Sequence, residues 1–172
     1  MTWNRMWQMP DLKQTIVTNT TPLIALAAGL GSLDILRALY NRVMVPWEVN
    51  EEIHAAGQDA PGVLAFDQAS WLDCQSEPVA IAPYLRNTLD RGEASVIQTA
   101  LDLNIPLVCI DESVGRRVAR LSGLTLTGSI GILIKARRQG YPVSIPDVIK
   151  RMREHGIWLS DEVVRFALAQ QD

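Results

Sequence analysis

The sequence has few of the residues that build zinc sites and disulfide frameworks. It contains two cysteines and two histidines in 172 residues. Cys74 and Cys109 lie far apart, no Cys-x-x-Cys occurs, and His54 and His155 are isolated. This pattern argues against a structural zinc site. Cys109 lies in an apolar run, where a thiol usually packs as a small hydrophobic residue, and such cysteine usage fits a reducing cytoplasm.

Long hydrophobic runs are also missing. The most apolar stretch, Pro22 to Leu33, contains two glycines and ends at Asp34, so it is too short to span a bilayer. Residues 1–14 are polar and lack the apolar segment of an export signal. We therefore expect a cytoplasmic protein with no membrane contact.

The sequence has no excess of positive charge, since the net charge is −3, which argues against indiscriminate coating of DNA. The charges are nevertheless segregated. Residues 1–110 hold twelve acids and six bases, whereas residues 113–153 hold nine bases and one acid, Asp147. An acidic part beside a basic segment is what a metal site next to a phosphate-binding surface needs. A solvated helix face explains the same charge pattern equally well.

Short apolar or β-branched runs alternate with segments of helical period. Strands are predicted at residues 15–18, 42–45, 71–74, 107–110 and 124–126, and residues 76–85 are predicted to form a loop. Helices are predicted from residue 22 and at residues 33–40, 46–57, 62–69, 93–103, 113–121, 129–138, 146–155 and 161–170, with Ser32 and Ser160 as N-caps. Such alternation predicts an α/β fold with a parallel sheet of four or five strands flanked by helices.

The N-terminal segment suggests a contact of its own. Trp3 and Trp7 lie four residues apart and would share one face of a helix. Exposed aromatic residues at a terminus can mark a protein interface, which would make the chain an assembly subunit. Two alternatives stay open: the tryptophans fold back onto the domain, or translation begins at Met6 or Met9.

Polar residues follow the predicted strands, where ligands bind in open parallel sheets. They are Asn19, Thr20 and Thr21 after the first strand, Glu48, Glu51 and Glu52 in the helix after the second, Glu93 in the helix before the central strand, and Asp111 and Glu112 after that strand. Converging carboxylates repel each other unless a cation or protonation offsets the charge. Oxygen ligands favour Mg²⁺, Mn²⁺ or Ca²⁺ over zinc, which predicts phosphodiester hydrolysis by a metal-activated water.

Each acidic residue also has an ordinary structural explanation. Glu93 at a helix start can serve the helix dipole, and Asp111 can be the N-cap of the next helix. The glutamates of the third predicted helix can be solvated surface charges. Only their joint placement favours a site.

Five stretches in order resemble PIN-like domains related to the VapC toxins of bacterial toxin–antitoxin pairs. They are IVTNTTPLIAL at residues 16–26, VPWEVNEEI at 45–53, LDRGEASVI at 89–97, LVCIDESVGRRVA at 107–119 and LTLTGSIGIL at 124–133. The resemblance implies a three-layer PIN-like domain over residues 15–140, preceded by an arm, 1–14, and followed by helices in residues 141–172 that pack on it. It also implies a Mg²⁺- or Mn²⁺-dependent endoribonuclease that acts on RNA, a small antitoxin partner and a homodimer.

The resemblance also implies roles for single residues. The metal ligands would be Asn19, Glu52, Glu93 and Asp111, with Glu112 as a neighbour, and Glu52, Glu93 and Asp111 would be catalytic. Asn19 stands where a typical PIN domain has Asp, and Thr20 or Thr21 would help to position a water. The asparagine motivates an alternative function, a catalytically impaired nucleic-acid-binding or protein-interaction module.

Basic residues after the last acidic motif are candidates for contact with RNA. Arg116 and Arg117 can offer guanidinium forks to phosphate. Lys135, Arg137 and Arg138 would extend that surface. Ordinary helix surface is an equally good explanation for all five side chains.

Overall fold

The computed structural model describes residues 14–170, so the predicted contact of Trp3 and Trp7 lies outside the described residues. The strands are β1 (Gln14–Thr18), β2 (Tyr40–Val45), β3 (Asp73–Cys74), β4 (Leu107–Cys109) and β5 (Thr125–Thr127). The helices are α1 (Thr20–Leu30), α2 (Asp34–Leu39), α3 (Trp47–Ala55), α4 (Val63–Gln68), α5 (Pro83–Thr88), α6 (Arg91–Asp102), α7 (Ser113–Leu121), α8 (Ser129–Arg138), α9 (Ile145–Glu154) and α10 (Asp161–Leu168).

All strand pairs are parallel, and the five-stranded sheet has the order β3-β2-β1-β4-β5. The chain moves outward from β1 to β3 and then returns to place β4 on the other side of β1. The backbone N–H of Asn19 donates to the carbonyl of Cys109 at 3.0 Å, which ties the ends of β1 and β4 together. The α/β prediction with a central parallel sheet is confirmed, and the reversal between β1 and β4 is where such sheets bind ligands.

The central strands are buried on both faces. Ile16, Val17, Val108 and Cys109 all have 0% exposure, as expected for parallel strands covered by helices on both sides. Helix α9 packs closely on α1. A Cβ at Gly29 would stand only 2.6 Å from Val148 Cγ1, so the lack of a side chain at Gly29 permits this close contact. None of the helices within residues 14–170 has the length and hydrophobicity that crossing a membrane requires.

Three local predictions were wrong. The predicted loop at residues 76–85 runs into α5, a six-residue helix with Pro83 in its first turn, too short to show a period. Ser32 is not an N-cap: α2 has Leu33 there, and the Ser32 hydroxyl accepts from the Asp34 N–H at 3.4 Å. Tyr40 begins β2 instead of ending the helix. The Ser160 cap is confirmed, because its hydroxyl accepts from the Val163 N–H.

Candidate metal centre

Three side-chain oxygens converge above Gly92, near the start of α6. A Cβ on this glycine would stand 2.6 Å from Glu52 Oε2, 3.0 Å from Asn19 Oδ1 and 3.5 Å from Asp90 Oδ1. Asn19 follows β1, Glu52 lies on α3, and Asp90 is the N-cap of α6. We call this group the Gly92 cluster. Asn19 is 3% exposed and its Oδ1 has no hydrogen-bond partner, so the cluster holds a buried acceptor that lacks a donor.

Neighbouring hydroxyl and amide groups orient the carboxylates. Thr20 Oγ1 donates to Glu52 Oε2 at 2.7 Å, and Thr21 Oγ1 donates to Glu112 Oε1. Asn19 Nδ2 donates to Glu112 Oε2 at 3.4 Å. Because an ionised carboxylate only accepts hydrogen bonds, the Asn19 amide turns its nitrogen to Glu112 and its oxygen to Gly92.

Glu93 is buried beside this cluster. The side chain is 5% exposed, and its Oε1 has no partner and points at Gly115. Burial, followed by the charges of Asp90 and Glu112, raises the pKa of Glu93 to about 7. The backbone N–H of Glu93 donates to Asp90 Oδ1 at 2.8 Å, so the two residues share the first turn of α6. Burial and nearby negative charges disfavour the ionised form of this carboxyl, so it is stabilised by protonation or by a cation nearby.

The Asp111 side chain faces a second glycine, Gly128, and is hydrogen-bonded to the backbone there. Its Oδ1 accepts from the backbone N–H of Ser129 at 2.8 Å, at the start of α8. Burial raises the pKa of Asp111, and the hydrogen bonds from Ser129 oppose that shift. Asp111 therefore interacts with the N-terminus of α8, whereas the N-cap position of α7 belongs to Glu112.

Arg116 stabilises the backbone next to Asp111 and Gly128. Its Nη1 donates to the carbonyl of Ile110 at 2.7 Å and to that of Thr127 at 3.2 Å. These carbonyls lie at the ends of β4 and β5, immediately before Asp111 and Gly128. We call Asp111, Arg116, Gly128 and Ser129 the Gly128 cluster. Arg117, the next residue of α7, is exposed.

The remaining predicted RNA contacts lie elsewhere. The Lys135 ammonium lies 4.7 Å from the centre of the Tyr40 ring, Arg137 Nη1 donates to the Val143 carbonyl at 3.4 Å, and Arg138 Nη2 donates to Gln170. Helix α8 starts at the carboxyl edge of the sheet, so its last turn is roughly 14 Å from Ser129. The structure does not bring these three cations to the acidic residues, and their contact with RNA stays a prediction.

Asp90 is the residue of the Gly92 cluster that the sequence interpretation missed. The Asp-x-x-Glu spacing of Asp90 and Glu93 is a capping-box pattern and could have indicated it. Within residues 14–170, no three or more His, Cys, Asp or Glu side chains are grouped so that they could hold a metal ion. The Gly92 cluster combines two carboxylates with one amide. Inclusion of Glu93 and Asp111 among metal ligands stays a prediction.

A groove of about 690 Å³ adjoins the Gly128 cluster. Its lining combines polar residues, among them Asp111 and Glu112, with the aromatic residues Trp158 and Phe166. Trp158 is 84% exposed and Phe166 is 58% exposed. The acidic edge of the sheet therefore continues into an exposed aromatic surface formed by and before α10.

Comparison with known families agrees with this geometry. The model of the DUF3368 family, a PIN domain, matches residues 15–172. The chain therefore belongs to the PIN domain family, whose members are generally nucleases that typically use divalent metals. The match includes both the region predicted as the PIN-like domain and the C-terminal helices. No curated protein matches the chain.

Proposed function

We propose that this protein is a Mg²⁺- or Mn²⁺-dependent endoribonuclease whose metal lies over Gly92. The observation that carries the proposal is the convergence of Glu52, Asn19 and Asp90 oxygens within 3.5 Å of one point, the Cβ position of Gly92. Membership of the PIN domain family supports nuclease chemistry. RNA as the substrate follows from the resemblance to the VapC toxins.

The residues of the Gly92 cluster fit a hard divalent ion. They offer only oxygen, the ligand type that Mg²⁺ and Mn²⁺ prefer. Asn19 Oδ1 is buried without a donor, and an ion would satisfy it. Asn19, Glu52 and Asp90 would hold the metal, which when bound lowers the pKa of a water and neutralises charge on the phosphodiester. Gly92 keeps the space open, because any side chain there would occupy it.

The other residues of the site would transfer protons or hold the proposed metal ligands in place. Thr20 fixes the rotamer of Glu52 through its hydroxyl. Glu93, with its pKa raised to about 7, is suited to take up and release a proton near neutral pH. Glu112 is held by Asn19 and Thr21 and adds charge beside Glu93.

Asn19 is not a simple loss of a ligand. Its Nδ2 donates to Glu112 and its Oδ1 turns to Gly92, two tasks that an aspartate could not perform together. An aspartate would also add a negative charge next to Glu112. This double role supports the active nuclease over the catalytically impaired module.

The test is cleavage of a fluorescent single-stranded RNA with Mn²⁺, comparing Glu52→Gln with Glu51→Gln. Both side chains are exposed neighbours on α3, but only Glu52 reaches the Gly92 cluster. We expect Glu52→Gln to lose cleavage and to weaken Mn²⁺ binding by calorimetry, while Glu51→Gln stays as wild type. Equal cleavage by both variants would reject the site.

We further propose that the nuclease is the toxin of a toxin–antitoxin pair, is cytoplasmic and forms a homodimer. The VapC resemblance supports this, and so does the exposed aromatic surface of Trp158 and Phe166 beside Asp111, which a small antitoxin could cover. Expression in a bacterial host should arrest growth for wild type but not for Glu52→Gln. Equal growth would count against the toxin role, and a monomer in sedimentation would reject the dimer.

A further inference from the structure

Glu48 is a buried acid that neither the fold nor the metal site explains. It lies one helical turn before Glu52 on α3, so both side chains share one face of that helix. Glu48 is 4% exposed; its Oε1 accepts from the Val79 N–H at 3.0 Å, and its Oε2 has no partner. The carboxylate is thus buried and only half satisfied by the protein.

A cavity of about 520 Å³ opens beside Glu48, between α3, the segment before α5, and the start of α6. Its lining is apolar at Val79, Ile81 and Leu89 and basic at Arg86 and Arg91. The Arg91 guanidinium lies 5.1 Å from the centre of the Trp47 ring. Within the described part of the chain, neither arginine forms an ion pair with an acid.

A structural role alone does not account for this arrangement. One backbone N–H needs one acceptor, which a glutamine would supply without a buried charge. Burying a carboxylate with an unpaired oxygen destabilises a protein, and in native structures the large majority of buried polar atoms have a hydrogen-bond partner. The free oxygen of Glu48 therefore indicates a ligand that offers N–H donors, and the two arginines indicate that this ligand also carries a phosphate.

We propose that this cavity binds a guanine nucleotide of the RNA substrate, with Glu48 accepting from its Watson–Crick edge and Arg86 and Arg91 contacting its phosphate. Guanine has neighbouring N1–H and N2–H donors, which match a carboxylate, whereas the Watson–Crick edges of adenine, cytosine and uracil each offer one donor group. Extruded bases in single-stranded RNA are read in this way. The cavity volume lies in the range of small-ligand sites.

The position of the cavity links it to the candidate metal centre. Arg91 follows Asp90 directly in sequence, and Glu48 lies about 6 Å along α3 from Glu52, one helical turn away. A guanosine bound at Glu48 would therefore place a neighbouring phosphodiester towards the Gly92 cluster. This subsite rests on the proposed function, since it assigns a base preference to the same RNA.

The experiment measures binding without cleavage. Short fluorescein-labelled oligouridines with one central guanosine, inosine or adenosine are titrated with the full chain in EDTA and followed by fluorescence polarisation. Wild type should bind the guanosine probe about tenfold more tightly than either the inosine or the adenosine probe, because each of those two bases offers Glu48 one charge-assisted hydrogen bond fewer than guanine. Glu48→Gln should remove the guanosine preference, and Glu51→Gln should keep it.

A second variant separates base reading from phosphate contact. Arg91→Gln should weaken all three probes by a similar factor and leave the guanosine preference intact. Equal wild-type affinity for guanosine and adenosine probes would overturn the subsite without reference to any variant. A guanosine preference unchanged by Glu48→Gln would overturn it too. A selective protein that cleaves no RNA with Mn²⁺ would instead reject the proposed nuclease and leave the guanine site standing.

Discussion

The Gly92 and Gly128 clusters lie at the same edge of the sheet, and they differ in whether a buried oxygen is left without a hydrogen-bond donor. Each is built on a glycine whose Cβ would collide with an acid side chain, Glu52 at 2.6 Å in one and Asp111 at 2.5 Å in the other. At Gly128, Asp111 receives the N–H of Ser129. At Gly92, Asn19 Oδ1 is buried and has no donor.

This difference distinguishes side chains that stabilise the fold from side chains that can still bind a ligand. A carboxylate with backbone partners stabilises the chain ends that it joins, and removing it costs stability. A buried oxygen without a donor, such as Asn19 Oδ1, costs stability in the free protein, and a bound cation would satisfy it. Variants in the two clusters should therefore fail in different assays.

The largest expected effect is on activity, in Gly92→Ala. The new methyl group would occupy the point where the Glu52, Asn19 and Asp90 oxygens converge. We expect RNA cleavage with Mn²⁺ to fall on the order of a hundredfold, because displacing ligands by about 1 Å costs that much in rate. The melting temperature should barely change, because the gain of about 1 kcal/mol in helix propensity opposes the cost of displacing the Glu52 and Asn19 side chains.

Gly128→Ala is the matched control for this comparison. Its methyl group would displace Asp111 from the Ser129 N–H, so unfolding in urea should show a loss of about 1–3 kcal/mol. If Gly92→Ala lost stability and Gly128→Ala did not, the assignment of the two clusters would be reversed.

Arg116→Met tests the stabilising contacts of the Gly128 cluster. The loss of the hydrogen bonds to the Ile110 and Thr127 carbonyls should lower the free energy of unfolding by about 2–3 kcal/mol. Arg117→Met, at the exposed neighbouring position, should change it by less than about 0.5 kcal/mol. Similar urea midpoints for the two variants would mean that Arg116 does not stabilise the backbone there.

The pKa of Glu93 predicts how stability depends on pH in the absence of metal. The pKa is 4.5 for an ordinary glutamate and about 7 in the fold, so the native state favours the protonated acid. Its stabilising contribution is complete below pH 4.5 and is lost as the pH rises to about 7, by about 2–3 kcal/mol. Urea unfolding in EDTA across this range should show the decline, and Glu93→Gln should flatten it. A decline of equal size in the variant would assign the effect to other groups.

Asn19→Asp should give the smallest effect. The variant loses the donor to Glu112 and gains a like charge, so the metal-free protein should be less stable by about 1 kcal/mol. Mn²⁺ should raise its melting temperature more than that of wild type, because the extra charge strengthens binding of the cation. Unchanged stability in EDTA would show that the Asn19 amide does not hold Glu112.

The α/β fold could be predicted from the sequence because segments of strand period and helix period alternate along the chain. This alternation is a local pattern, and it implies a parallel sheet. The sequence was not sufficient for α5, whose single turn and a half carries too little pattern. The rule about carboxyl strand ends placed Asn19 near the helix acids, but the Ser129 partner of Asp111 depends on where α8 begins relative to β4. Glu48 was among the candidate acids, but its burial was not predicted, because helix glutamates are usually solvated and the hydrogen bond from Val79 comes from a segment distant in sequence.

The reversal of strand order between β1 and β4 has a consequence during synthesis. The Gly92 oxygens come from residues 19, 52 and 90, and the strand that steadies Asn19 through the Cys109 carbonyl comes later still. A nascent polypeptide therefore lacks the complete set of proposed ligands until residues 107–109 have left the ribosome and β4 has docked beside β1. Any hydrolytic capacity would arise only with the finished sheet.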